Sequence, residues 1–288
     1  MNTFMLRISF LVGSCVYSAN AFLVSPVKLN SAAPQTTVAF SSSPASSSVA
    51  PSNESKEADD VPSLQQLTDW SLEYLNEVEE ANGIISGFDK LRHWYDEDFI
   101  QTGPDIGPMN LQDYTNSLEY YKDQGFNFGA SIPDLAAQYD GWHIDPKDPW
   151  RVWFVLRYRG TFTGEDLMLN GNTLVKANGQ EIDGSPEVYS YVWTPEKKLK
   201  WTSIGFVGEK YTGTNKGYGG LVGLLVGMGV PKTILDLVYP LVQAQTWFSQ
   251  FQGPGSNEGT RAPRTLTPEK QLPRWWRERK QSRKNLRL

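Results

Sequence analysis

The groups that could do acid–base chemistry in this sequence are few and scattered. Asp98 borders the apolar face of a predicted helix over Gly87–Phe99, and His143 shares one face of a predicted strand with Tyr139. Proton transfer to or from carbon requires a positioned carboxylate or imidazole. Burial must also shift the pKa of that group towards neutrality. Asp98 and His143 are therefore candidate acid–base residues, although a histidine on such a strand also serves as a hydrogen-bonded structural residue.

Motifs of the common catalytic classes are missing from the sequence. It contains no Gly-x-Ser-x-Gly nucleophile elbow, no Walker A loop and no dinucleotide fingerprint. The glycine-rich stretch 217–220 lacks the following Lys-Ser/Thr pair that a phosphate loop needs. The only cysteine is Cys15 and the only histidines are His93 and His143, so we expect neither a metal site nor a cofactor.

The net charge of -5 conceals a strong asymmetry along the chain. From Arg261 onward there are ten basic and two acidic residues, a balance of +8 that leaves -13 for the rest. An acidic folded part argues against nucleic acid as its partner.

The first 60 residues have the composition of a targeting leader. Met1–Ala21 combines one early positive charge, an apolar run and small residues at its end, which is the layout of a secretory signal peptide. Residues 22–60 are rich in Ser, Ala, Thr and Pro and have no acidic residue before Glu54, as in a transit peptide. The Ser18–Phe22 junction resembles the bipartite leader of algae with secondary red-type plastids. We therefore expect plastid import; the alternative is secretion with a disordered linker.

The hydrophobic pattern predicts three helices followed by a run of strands. The helices begin after Ser63, at Gly87 and after Asn110. Period-two alternation marks the strands, which are expected at Leu135–Ile144, Arg151–Phe162, Glu187–Thr194 and Leu199–Glu209. This order indicates an α+β fold over residues 61–212, with helices packed on one side of a curved, mainly antiparallel sheet.

The strand Arg151–Phe162 has the clearest alternation in the chain. Its apolar face is Val152, Phe154, Leu156, Tyr158 and Phe162. Its opposite face is Arg151, Trp153, Arg157, Arg159 and Thr161. Such a strand is suited to the centre of a sheet.

Aromatic side chains are abundant on the predicted elements and suit a flat apolar ligand. The candidate ligand-binding residues are Trp94, Tyr95, Trp142, Trp153, Tyr191 and Trp201. The same residues could instead form the packed core of the sheet.

Several short motifs, taken in order, resemble the SnoaL-like branch of the nuclear transport factor 2-like superfamily over roughly residues 64–210. The motifs are Trp-Tyr-Asp-Glu-Asp-Phe at 94–99, Ile-Pro-Asp at 132–134, Gly-Thr-Phe-Thr-Gly at 160–164, Asn-Gly-Gln-Glu-Ile at 178–182 and the Lys-Leu turn at 198–199. The resemblance implies a cone-shaped pocket made by sheet and helices. Family members include polyketide cyclases, isomerases, dehydratases and non-catalytic subunits.

Polyketide cyclases of this family place an acid–base aspartate near the end of the last long strand. An ungapped comparison puts Val207 at that position, and Glu209, two residues on, is the nearest carboxylate. The resemblance therefore implies Glu209 as a third candidate acid–base residue.

The chain continues beyond the predicted domain with an apolar helical extension at 213–252 and a linker and basic tail at 253–288. Glycines recur every four residues at Gly219, Gly223 and Gly227, but the apolar run is too short to span a membrane. Residues 219–251 and Arg274–Arg287 could dock on a plastid protein complex or a thylakoid surface. The alternative for 219–251 is a helical extension packed on the domain. The alternative for Arg274–Arg287 is a solvated tail. A homodimer is also compatible with the sequence.

Two functions of different classes follow from these observations. The first is a non-catalytic plastid module that binds a small apolar ligand, or a protein or membrane partner. The second is a cyclase, isomerase or hydrolyase that uses carboxylate acid–base catalysis in the pocket. The sequence contains no clear catalytic pair, which favours the first.

Overall fold

A computed structural model describes residues 61–104, 106–123, 125–169, 171–231 and 266–285. The predicted leader at 1–60 and residues 232–265 of the predicted extension and linker lie outside the described residues.

The elements follow the predicted order of helices and then strands. The helices are α1 Leu64–Glu80, α2 Ile84–Leu91, α3 Leu111–Asp123, α4 Phe128–Ser131, α5 Gly220–Gly227 and α6 Arg274–Asn285, with 3-10 turns at Arg92–Trp94 and Glu269–Gln271. The strands are β1 Tyr95–Thr102, β2 Met109–Asn110, β3 Ala136–Asp145, β4 Asp148–Thr161, β5 Leu167–Leu169, β6 Asn172–Val175, β7 Glu181–Asp183, β8 Glu187–Trp193 and β9 Leu199–Val207.

One sheet organises the fold, in the order β2-β1-β9-β8-β4-β3, with β7 paired to the far end of β4. The β1–β9 pair is parallel and the other pairs of this sheet are antiparallel. The first three helices and α5 contribute side chains to the main core on one side of this sheet, which we call the inner face. The α+β fold with a mainly antiparallel sheet is therefore confirmed.

The predicted helix N-termini, capped by Ser63 and Asn110, are confirmed. The Ser63 side chain accepts a hydrogen bond from the N–H of Gln66 at 3.1 Å, and the Asn110 side chain accepts one from the N–H of Asp113 at 2.9 Å. Each cap satisfies a backbone donor that the first helical turn leaves unpaired.

The second predicted helix is wrong over its last part, because the chain leaves the helix at Leu91 and forms strand β1 from Tyr95. Tyr95 and Phe99 are both buried, and a spacing of four residues fits a helical stripe as well as one face of a strand. The side chain of Asp96 accepts a hydrogen bond from the N–H of Asp98 at 2.8 Å, a local bond that competes with helix formation. Asp98 is consequently an exposed strand residue.

The apolar face of β4 is confirmed, since its five predicted residues are at most 1% exposed. Arg151 lies on the opposite, outer face as predicted, and it is nevertheless buried, with 5% of its surface exposed. The Arg151 guanidinium lies between the rings of Trp153 and Trp201, at 3.9 and 4.1 Å from their centroids. It also donates to the Ser190 hydroxyl at 2.8 Å.

A bulge in β3 reverses part of the predicted alternation. The register shifts between Asp140 and His143, and Gly141 adopts a φ of +68°. Trp142 consequently stacks on Phe154 at 4.4 Å on the inner face. The prediction that His143 shares the face of Tyr139 is wrong, because the extra residue places His143 opposite Trp153 on the outer side.

The C-terminal segment packs on the outer face of the sheet. Leu272 is 5% exposed in a small second core with Ile100, Val192 and Trp201. The ring of Trp276 lies perpendicular to that of Trp201 at 5.1 Å. The expectation of a solvated tail is therefore wrong for this segment, since its aromatic residues cover the sheet.

Candidate functional site

Strand β8 carries the most unusual set of side chains on the inner face. Because alternate residues share a face, Pro186 is followed by a buried stripe made of Glu187, Tyr189, Tyr191 and Trp193. Of these four residues, Tyr191 was a predicted ligand contact, whereas Glu187 was not predicted as a site residue. Its position in phase with the aromatic residues was the signal that could have found it.

Five tyrosines from five elements meet on the inner face. This tyrosine cluster is Tyr74 of α1, Tyr95 of β1, Tyr114 of α3, Tyr139 of β3 and Tyr191 of β8. The hydroxyls of Tyr74 and Tyr95 are hydrogen-bonded at 2.5 Å. The ring of Tyr74 meets those of Tyr95 and Tyr191 edge to face, with centroids 6.0 and 5.7 Å apart.

The tyrosine cluster is a set of neutral hydrogen-bond donors. Burial, as the largest cause, raises the pKa of each of the five phenols well above its ordinary value, and neighbouring phenols raise it further. The hydroxyls therefore stay protonated at neutral pH. Protonated phenols donate well to a carbonyl or enolate oxygen.

The hydroxyl of Tyr139 is buried and has no hydrogen-bond partner among the described residues. Leaving a buried hydroxyl unpaired costs about 1–3 kcal/mol, so this group is a ready donor for an oxygen that enters the site. The side chains of Tyr139 and Trp142 are half-buried, although the hydroxyl itself is covered. Strand β3 lies at the edge of the sheet, and Tyr139 is the member of the cluster that this edge strand carries.

Glu187 lies at the other end of the β8 stripe and is fully buried. Its carboxylate accepts hydrogen bonds from the N–H of Gly220 at 2.8 Å and the hydroxyl of Tyr189 at 3.2 Å. Burial outweighs these two bonds and raises the pKa of Glu187 to about 7. Near neutral pH this carboxyl group can therefore give or take a proton.

The predicted acid–base residues occupy exposed positions. Glu209 follows the end of β9 and accepts from the N–H of Tyr211 at 2.9 Å. His143 bonds through Nδ1 to the carbonyl of Gly141 at 2.9 Å. The backbone carbonyl of Asp98 accepts from the Trp275 indole at 3.1 Å. The fold does not gather these three side chains around the tyrosine cluster, and a catalytic role for each stays a prediction.

The six predicted ligand-binding aromatic residues are divided between the two faces of the sheet. Trp94, Tyr95, Trp142 and Tyr191 belong to the inner core or pack against it. Trp153 and Trp201 lie on the outer face around Arg151. The six side chains therefore do not line one pocket.

Metal-binding clusters and membrane-spanning helices are both absent from the part of the chain that the structure describes. No group of three or more His, Cys, Asp and Glu side chains there could hold a metal ion. Within the same residues, none of the helices has the length and apolar character needed to cross a membrane.

No protein-family profile matches the chain, and neither does any curated protein. Among solved structures, it is similar to a SnoaL-like polyketide cyclase from Jannaschia sp. CCS1, with 11% identity, a TM-score of 0.34, and coverage of 57% of this chain and 94% of that one. A SnoaL-like polyketide cyclase from Agrobacterium tumefaciens gives 21% identity, a TM-score of 0.31, and coverage of 48% of this chain and 87% of that one. A nuclear transport factor 2-like protein from Anabaena variabilis gives 13% identity, a TM-score of 0.32, and coverage of 54% of this chain and 96% of that one. At these identities the likeness concerns the fold alone.

Proposed function

We propose that the domain binds a small, flat, largely apolar molecule that carries a carbonyl or hydroxyl oxygen. The observation that carries this proposal is the buried, unpaired hydroxyl of Tyr139 at the edge of the tyrosine cluster. The ligand's oxygen would accept from this hydroxyl, and its apolar frame would lie against the half-buried ring of Trp142, which stacks on Phe154 at 4.4 Å.

A matched pair of probes tests the proposal: 2-acetylnaphthalene carries the oxygen, and 2-ethylnaphthalene has nearly the same shape without it. We expect saturable quenching of tryptophan fluorescence by both, with tighter binding of the ketone. In Tyr139→Phe the preference for the ketone should fall by about 3- to 10-fold, the value of one hydrogen bond. Tyr120→Phe, at a half-buried tyrosine of α3, is the control and should keep the preference. Equal binding of both probes, unchanged in Tyr139→Phe, would disprove the proposal.

Acid–base catalysis is a second candidate, favoured by Glu187. A carboxyl group with a pKa of about 7 is poised for proton transfer at neutral pH, and the protonated phenols could stabilise an enolate. Such chemistry belongs to a cyclase, isomerase or hydrolyase. Deuterium exchange of the 2-acetylnaphthalene methyl protons, followed by NMR, tests it: the protein should accelerate the exchange and Glu187→Gln should abolish that acceleration while it keeps ketone binding. A rate equal to that in buffer would eliminate this candidate.

We also propose that the protein works in a plastid. The support is the signal-like Met1–Ala21 followed by Phe22 and a Ser-rich, acid-poor stretch. Residues 1–60 fused to a fluorescent protein should direct it to the plastid of an alga with secondary plastids, and a Phe22→Ala variant should stop it before the plastid interior. Secretion of the unaltered fusion would contradict the proposal. Docking of 219–251 and Arg274–Arg287 on a plastid partner stays a prediction.

A further inference from the structure

A concave region lies beside the outer-face arginines of β4, and no residue of the tyrosine cluster lines it. Strand β4 pairs with β8 as far as Leu156 and with β7 from Arg159 onward, so its residues 157 and 158 face the link between β7 and β8. A cleft of about 350 Å³ opens at this place. Its lining is Ala136, Ala137, Gln138, Arg157, Tyr158, Arg159, Asp183, Gly184, Pro186, Thr212 and Gly213.

The walls of this cleft are held by close backbone approaches. A Cβ on Gly184 would overlap the ring of Tyr158, and one on Gly213, whose φ is +77°, would overlap the carbonyl of Asp183. The Ser185 hydroxyl donates to the Asn215 side chain at 2.5 Å and ties the β7–β8 link to the loop after β9. Ala136 pairs with Arg159 across the β3–β4 ladder, and its small side chain leaves space beside the arginine.

Two arginines face this space from alternate positions of β4. Residues two apart on a strand are separated by roughly 6.6 Å, a span that one phosphate group or a short dicarboxylate can bridge. Arg159 donates to the Asp183 carboxylate at 2.9 Å. Arg157 is exposed and has no hydrogen bond or ion pair among the described residues, and the same holds for the side chain of Gln138, its cross-strand neighbour.

We propose that this arginine cleft binds the phosphate or carboxylate group of a small molecule. The guanidinium of Arg157 would form a paired, charge-assisted contact with two ligand oxygens, and the Gln138 amide would donate a further hydrogen bond. The charges around the space are Arg157, Arg159 and Asp183, and Asp183 is already paired with Arg159. The remaining attraction for an anion therefore centres on Arg157. The volume is sufficient for a small ligand.

Calorimetric titration tests this site. The full-length protein is titrated with inorganic phosphate and, separately, with succinate, and chloride keeps the ionic strength constant. We expect saturable binding of at least one of the two anions. Saturation by phosphate alone assigns a phosphate-bearing ligand, and saturation by succinate alone assigns a dicarboxylate.

Two variants that remove one positive charge each separate the site from general electrostatics. Arg157→Ala should weaken the affinity for the anion at least about tenfold, which corresponds to the loss of one charge-assisted hydrogen bond. Lys147→Ala, in the exposed turn between β3 and β4, lies outside the cleft and should bind as the unaltered protein does. Both side chains are exposed, so we expect both variants to fold. The proposal fails if neither anion saturates, if Arg157→Ala binds normally, or if Lys147→Ala weakens binding equally.

Discussion

The Glu187 carboxylate accepts a hydrogen bond from the N–H of Gly220 at 2.8 Å, and this bond joins the inner face of β8 to the first turn of α5. A helix N-terminus favours a negative charge, yet the pKa of Glu187 is raised to about 7, because complete burial outweighs that attraction. All eight residues of α5 are buried, so water cannot relieve the charge from the helix side. The bond therefore couples the protonation of one carboxyl group to the packing of α5.

Protonation of Glu187 should make stability fall as pH rises. The pKa is about 7 in the folded protein against an ordinary value of 4.5, so the stabilisation is complete below pH 4.5 and is lost as pH rises towards 7. The difference corresponds to about 3 kcal/mol. Glu187→Gln imitates the neutral acid and should be more stable than the unaltered protein at pH 8, with little difference at pH 4.5. Urea denaturation at the two pH values measures this.

Glu209→Gln is the matched control, since Glu209 is exposed and follows the last strand. Its stability should follow the same pH profile as that of the unaltered protein. Parallel profiles for Glu187→Gln and the unaltered protein would contradict the burial argument.

Two tyrosines of one cluster should respond differently to loss of their hydroxyls. Tyr139→Phe removes a hydroxyl without a partner among the described residues, and we expect the free energy of unfolding to stay equal or to rise by about 1 kcal/mol. Tyr95→Phe breaks the 2.5 Å bond to Tyr74 and leaves that buried hydroxyl without its partner, which should cost about 1–2 kcal/mol. Thermal denaturation without added ligand compares them. A larger loss in Tyr139→Phe would show that its hydroxyl has a partner.

The sequence predicted the fold well wherever one spacing fitted only one element. The period of two along β4 fits a strand alone, and its apolar residues are buried as predicted. The four-residue spacing of Tyr95 and Phe99 fits both the helical and the strand period. The segment is a strand because β1 pairs with β9, about a hundred residues away. Local pattern carries no information about that pairing.

The candidate site was only partly predictable for two physical reasons. The bulge at Gly141 adds one residue to β3, and this moved Trp142 to the inner face and His143 to the outer one. Glu187 is a charged residue on a buried face, and only its phase with the aromatic residues of β8 indicated that face, because a carboxylate is seldom buried. Tyr95 and Tyr191 were predicted ligand contacts and do belong to the tyrosine cluster.

The C-terminal segment should contribute measurably to stability. Leu272 is 5% exposed on the outer face, and Leu272→Ala should cost about 2–4 kcal/mol through lost burial and the cavity left behind. Arg277→Ala, exposed on α6, should change stability by less than about 0.5 kcal/mol. Urea denaturation measures both, and hydrogen exchange of residues 266–279 should rise in Leu272→Ala alone. Equal, small effects would mean that the segment contributes nothing to stability through this contact.

Alanine at two glycines of the β3–β4 hairpin should separate the cost of backbone strain from the cost of steric overlap. Gly141 has a φ of +68°, and an added Cβ would meet only the Val155 Cγ2 atom at 3.9 Å. Gly141→Ala should therefore cost about 1–2 kcal/mol, from the left-handed conformation alone, and should keep the Trp142–Phe154 stack. Near-ultraviolet circular dichroism would report that stack.

Gly160 lies in the same hairpin, on β4, and needs no left-handed conformation. A Cβ there would lie 2.5 Å from the Ile132 Cγ2 atom and 3.0 Å from the backbone Cα of Leu135. Because a backbone atom cannot move aside as a flexible side chain does, Gly160→Ala should cost more than Gly141→Ala, about 2–3 kcal/mol. Urea denaturation of the two variants gives the order. The reverse order would mean that the bulge, and with it the inward position of Trp142, depends on more than the φ angle of Gly141.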